Sequence, residues 1–142
     1  MSRQPASAAS EAARLATYPP PYPDSWYVLC RSEELRDKPL SVEALGQRFV
    51  VFRDAEGRAA VLDALCPHLG ADLGLGVVTD GCVECPFHRW RFGADGWLSE
   101  PPYGQERLPK IRARSWPVDE VYGMVLIYFS ARPDTEPPYP FP

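Results

Sequence analysis

Cys66-Pro67-His68-Leu69-Gly70, followed after an interval by Cys85-Pro86-Phe87-His88, is the stretch on which the whole chain turns. It offers two thiols and two imidazoles in the order Cys-x-His, sixteen intervening residues (69–84), Cys-x-x-His, and it uses both histidines of the chain. Soft and borderline donors presented together from short loops make a metal site. Each loop mixes the donor types, which suits a pair of bridged irons, one taking both thiolates and the other both imidazoles. A single structural zinc is the alternative, although zinc loops usually open with like ligands two residues apart and close with paired His.

The run from Cys66 to Trp97, CPHLGADLGLG and then ECPFHRWRFGADGW, resembles the cluster-binding segment of Rieske non-haem iron oxygenases. YPPPYPDSWYVLC at residues 18–30 is similar to the opening of the Rieske domain in the sterol-oxidising branch of that family, with its cholesterol 7-desaturases of the Neverland type and 3-ketosteroid 9α-hydroxylases. The resemblance covers residues 18–130 and implies an all-β Rieske fold: an antiparallel β-sheet base with a small inserted cluster-binding subdomain at about 63–103. It implies a Rieske 2Fe-2S cluster as cofactor, with Cys66 and Cys85 on one iron and His68 and His88 on the other. A reductase as electron donor and an oxygenase or other acceptor protein are the partners it implies. A ligand His near the surface would be the exit for the electron, either His68 or His88.

Departures from related patterns are informative. High-potential Rieske proteins carry an extra Cys in each ligand loop; here those positions hold Ala71 and Phe87. They also place a hydroxyl-bearing Ser and Tyr after the last ligand His, where this chain has Trp90 and Phe92. Without those O–H donors, the expected potential falls toward the low end of the Rieske range of about −150 to +300 mV. Arg89 stands where the family has Gly, so that position either has ordinary backbone or carries a strain of about 1 kcal/mol. Gly70, Gly74 and Gly76 are read as letting backbone pass close to the cluster sulfur.

With 142 residues the chain has length for one domain with a real core. A net charge of −4 gives nucleic acid or an anionic membrane no electrostatic hold. No membrane span is expected, since no apolar run approaches the ~18 residues one needs. Residues 1–17 are Ala- and Ser-rich but hold Glu11 and Arg14 where a signal peptide would be apolar, so they read as a mobile tail and the chain as cytoplasmic. Of the four cysteines, Cys30 and Cys82 are left over from the ligand set and read as free thiols, with a Cys30–Cys82 disulfide as the alternative.

Strand signals run the length of the chain. WYVLC at 26–30 reads as a first strand, Ser32–Leu35 as one helical turn, and Leu40–Ala44 as a short strand. Arg48–Arg53 and Arg58–Leu62 form a hairpin about Asp54-Ala55-Glu56-Gly57 that feeds the first ligand loop. Val77–Thr79 and Cys82–Glu84 form another about Asp80-Gly81 that feeds the second, and Arg91-Phe92 with Trp97-Leu98 a third. Pro101 and Pro102 mark a third loop over the cluster, Ile111–Val118 and Gly123–Phe129 are the last strands, and residues 131–142 a proline-rich tail.

Oxygen activation in Rieske oxygenases needs a second, mononuclear iron on two His and a carboxylate. The cluster uses both histidines here, so the chain on its own is expected not to be an enzyme but an electron-transfer module. It would act as a ferredoxin-like carrier or the electron-accepting part of an oxygenase system. The alternatives are the amino-terminal domain of a truncated or split sterol-oxidising oxygenase, and a zinc-stabilised binding module without redox work.

Overall fold

The computed structural model describes residues 22–100, 110–132 and 134–142. Among these the regular structure is antiparallel β, with two short 3-10 turns at Ser32–Glu34 and Leu73–Leu75. Strand β1 (Ser25–Arg31) pairs with β10 (Met124–Phe129), which pairs in turn with β9 (Val118–Val121). Strands β2 (Leu40–Ala44), β3 (Gln47–Arg53) and β4 (Ala59–Asp63) form a second sheet in sequence order. The third sheet is the meander β5 (Val77–Thr79), β6 (Cys82–Glu84), β7 (Arg91–Phe92) and β8 (Leu98–Glu100).

The middle sheet divides two cores. In β3, Phe49, Val50, Val51 and Phe52 are all fully buried, which a half-solvated strand would not allow. Because successive side chains alternate between faces, Phe49 and Val51 enter one core with Val61, Trp116, Val125 and Ile127. Val50 and Phe52 enter the other with Leu62, Leu73, Val83, Phe92 and the two cysteines Cys66 and Cys85. Each Phe buried this way contributes roughly 1.5–3 kcal/mol. The candidate ligand thiols therefore sit inside a packed core whose wall is the RFVVFR run.

The hairpins expected from the sequence all form, as does the turn at Ser32, where the Glu34 carboxylate accepts from the Arg31 backbone N–H at 2.7 Å. The expected strand at Ile111–Val118 does not form as one strand. That segment is extended, but it changes partner as it goes: Ala113 N–H donates to Gly96 O, Asp63 N–H to Arg114 O, and Trp116 N–H to Val61 O. Pro117 then has no N–H to offer a ladder, its carbonyl accepting from Tyr128 N–H instead, and pairing with β10 begins at Val118. The hairpin β9–β10 about Tyr122-Gly123 lacked a recognised first strand in the sequence because Val118–Val121 carries Asp119 and Glu120. A strap that changes partner along its length thus links the meander, the dividing sheet and the outer sheet.

Asp63 ends β4 and ties these parts together: its Oδ1 accepts from Gln47 Nε2 and from Trp116 Nε1, both at 2.8 Å. Trp116 stacks flat on Phe129 at 5.3 Å. Past Phe129 the proline-rich segment turns back onto the outer sheet, where Trp26 Nε1 donates to Tyr139 O at 3.2 Å and meets Phe141 edge-on at 6.3 Å. Residues 1–21 and the Pro101-Pro102 loop lie outside the described residues.

Candidate metal centre

Two six-residue loops, 66–71 and 85–90, carry the four expected ligands, and their backbones close in the same way. Cys66 N–H donates to Ala71 O at 2.7 Å and Gly70 N–H to Cys66 O at 2.7 Å; Cys85 N–H donates to Trp90 O at 2.8 Å and Arg89 N–H to Cys85 O at 2.9 Å. Gly70 and Arg89 occupy the same place and both take a left-handed backbone, with φ of 75° and 59°. Arg89 is therefore in the strained of the two conformations allowed for it above, an exposed side chain on backbone that favours glycine.

Each loop has a braced neck. Leu65 bridges Asp72 below the first, and Asp72 is held in turn: its Oδ1 accepts from Gly74 N–H at 2.8 Å and its Oδ2 from Arg48 Nη1 at 3.1 Å. Glu84 pairs with Arg91 below the second, and their side chains form an ion pair at 2.9 Å. Sequence reading missed these braces, although the signal was present: both pairs stand one residue outside their loop. Gly74 and Gly76 also belong to this framework. A Cβ on Gly74 would strike Ser41 and one on Gly76 the Glu84 carbonyl, so both permit a close approach of protein to protein.

The four side chains fall into two pairs. Cys66 and Cys85 are both buried in one core, near enough for their thiols to interact. Burial pushes the Cys66 thiol up, the adjoining Cys85 thiol adds to the rise, and backbone N–H groups of His68 and Leu69 aimed at the sulfur oppose it. The imidazoles of His68 and His88 lie with ring centroids 5.0 Å apart. Among the described residues no group of three or more His, Cys, Asp or Glu side chains is gathered closely enough to hold one metal ion.

His88 Nδ1 is buried and has no hydrogen-bond partner. An orphaned imidazole nitrogen is costly unless something binds it, and a metal is the partner that the neighbouring donors suit. The donor set thus fits a bridged two-iron unit with sulfur on one side and nitrogen on the other.

Around the pairs, Trp90 lies flat on His68, centroids 3.9 Å apart and planes 6° from parallel. Phe87 meets His88 at 4.1 Å but tilted by 54°. Phe92 is fully buried beside the thiols. Leu65, Leu69 and Phe87 are 58%, 62% and 64% exposed, so the rim of the site is apolar. No disulfide joins the remaining cysteines: Cys30 is buried in the opposite core and Cys82 lies beside Ser99 Oγ at 3.4 Å, so the Cys30–Cys82 disulfide does not form.

The family described as Rieske [2Fe-2S] domain matches residues 25–117. The chain is 44% identical over 116 residues to cholesterol 7-desaturase nvd of Bombyx mori, covering 80% of this chain and 25% of that protein. It is 40% identical over 114 residues to the oxygenase component of 3-ketosteroid-9-alpha-monooxygenase of Rhodococcus rhodochrous, covering 80% of this chain and 30% of the relative. Its fold is similar to that of dicamba monooxygenase crystallised with non-heme iron and dicamba, with a TM-score of 0.74 and 32% identity over 81% of this chain and 35% of that one. The chain spans about a quarter to a third of the length of these relatives.

Proposed function

This chain belongs to the Rieske [2Fe-2S] domain family, and from that premise we propose that Cys66 and Cys85 hold one iron of its cluster as thiolates, that His68 and His88 hold the other, and that the chain relays single electrons from a reductase to an oxygenase centre. The observation that carries the ligand assignment is the partnerless buried Nδ1 of His88, beside a second imidazole and next to a dry pair of thiols. When bound, such a cluster takes up and gives back one electron at a time.

The chain's own residues prepare the site for that work. Braced necks and proline after each ligand cysteine keep the loops from rearranging when charge changes. The His68 and Leu69 N–H groups directed at the Cys66 sulfur favour added negative charge there. The apolar rim of Leu65, Leu69 and Phe87 is a surface for a partner to cover, bringing the imidazoles close to an acceptor. In this reading residues 18–130 are the Rieske domain and about 63–103 its cluster-binding subdomain, supported by both loops and the β5–β8 meander falling within that span. No described helix is long and apolar enough to cross a membrane.

With both histidines used by the cluster, an oxygen-activating iron on two His and a carboxylate has to come from residues other than these 142, on a separate chain or in further sequence of a longer protein. The second arrangement is supported by the length of the relatives, of which this chain covers 25% and 30%. Their names point to a sterol or steroid as the substrate of the oxygenase centre served.

Iron and acid-labile sulfide at about two each per chain, a reduced-state electron paramagnetic resonance spectrum of mixed nitrogen and sulfur ligation, and electron transfer from a flavin reductase are the expected results. Zinc without sulfide would overturn the assignment. With Trp90 and Phe92 unable to donate an O–H, the midpoint is expected in the lower part of the range of about −150 to +300 mV.

A further inference from the structure

We propose that Trp90 is a positioning residue for the metal centre: reaching across from the second loop, its indole fixes the ring plane of His68 in the first, a constraint that no described residue places on His88. This rests on the ligand reading above. The contact is close and parallel, 3.9 Å between centroids at 6°, so rotation of the His68 ring about its Cβ–Cγ bond would drive it into the indole. Trp90 cannot readily yield, because its carbonyl is bonded to Cys85 N–H at 2.8 Å and its side chain packs on the core that holds both thiols.

The matched loops show that the constraint is one-sided. Ala71 is the equivalent of Trp90 in the first loop, closing its turn with the same hydrogen bond from a cysteine N–H, and its methyl cannot cover an imidazole. Among the described residues His88 has only Phe87, tilted by 54° and 64% exposed, as an aromatic neighbour apart from His68. Stacked aromatic rings attract one another beyond the area they bury. One imidazole is thereby held in a fixed plane and the other is left freer, although both belong to the same candidate iron. The plane of a bound imidazole governs its π overlap with the metal, so the asymmetry has a spectroscopic signature.

The test compares Trp90→Phe, Trp90→Leu and Trp90→Ala in the cluster-loaded protein. Phenylalanine keeps a flat face and leucine keeps apolar bulk without one. Iron loss to an excess of chelator is expected several-fold faster in the Leu and Ala variants, with a broadened reduced-state paramagnetic resonance spectrum, while Phe stays within about twofold of wild type. Equal behaviour of Phe and Leu would show that only bulk matters and overturn the proposal. Should the Leu and Ala variants not fold, pulsed resonance on wild-type protein carrying nitrogen-15 histidine reads both rings directly. One narrow and one broad distribution of ring orientation is expected, and equal spread overturns it. An intact wild-type cluster with indifferent variants sinks this proposal alone, whereas zinc in the wild-type protein sinks the ligand reading and this with it.

Discussion

The loops at 66–71 and 85–90 share a backbone and differ in what they hang on it. Both close through a cysteine N–H and carbonyl, both pass through a left-handed residue, and both stand on a braced pair. Yet the histidine is the third residue of one and the fourth of the other, and Gly70 and Ala71 in the first face Arg89 and Trp90 in the second. Loop closure and ligand placement are therefore encoded separately. Main-chain hydrogen bonds set the turn, and the side-chain sequence chooses which position carries the imidazole.

The harshest way to break this equivalence is to remove a thiol from one loop only. Cys66→Ala and Cys85→Ala are each expected to abolish the cluster, with iron and sulfide falling to background, because ligation and folding are coupled in small sites. Retention of the visible spectrum by either variant would show that the loops are not joint holders. Next in size is the neck. Asp72→Ala removes both the bond to Gly74 N–H and the ion pair with Arg48, and should lower stability by about 1–2 kcal/mol in denaturant titration.

A subtler pair of exchanges tests the left-handed position from both sides. Gly70→Ala imposes on the first loop the strain that Arg89 already carries, and should lose about 1 kcal/mol. Arg89→Gly relieves it in the second, and should gain about 0.5–1 kcal/mol less the entropy of a freer unfolded chain. If both substitutions destabilise, the loops are not equivalent at this position.

Cys30 provides a control outside the loops. Burial, then the nearby Glu34 carboxylate, push its thiol from 9.0 up to about 11. Unfolding releases its proton between those values, so its contribution to stability is intact below pH 9 and lost as pH rises through about 11. Cys30→Val should flatten that alkaline decline in thermal melts without touching the cluster spectrum.

Much of this was legible from residues. The ligand spacing and the period-two strands flanked by Asp-Gly and Asp-Ala-Glu-Gly turns need only local chemistry, and those hairpins form with the expected pairing. What was not legible depends on who lies opposite. Ile111–Val118 has strand composition, but its partners change every few residues, which no property of the segment itself reveals. Likewise Trp90 could be read only as lacking a hydroxyl; that it covers a histidine of the other loop follows from how the two loops meet. The tight contacts at Gly74 and Gly76 were hidden for the same reason, since Ser41 and Glu84 are brought to them by tertiary folding.

The dividing strand β3 has one more implication. Because Phe49 and Val51 fill one compartment while Val50 and Phe52 fill its neighbour, slipping β3 by a single residue would exchange the contents of both. Each core thus shares a wall with the other, and unfolding of one removes packing from both. If the loops hold the proposed cluster, that site is tied through β3 to the opposite core, and damage there should bleach the colour as surely as losing a ligand.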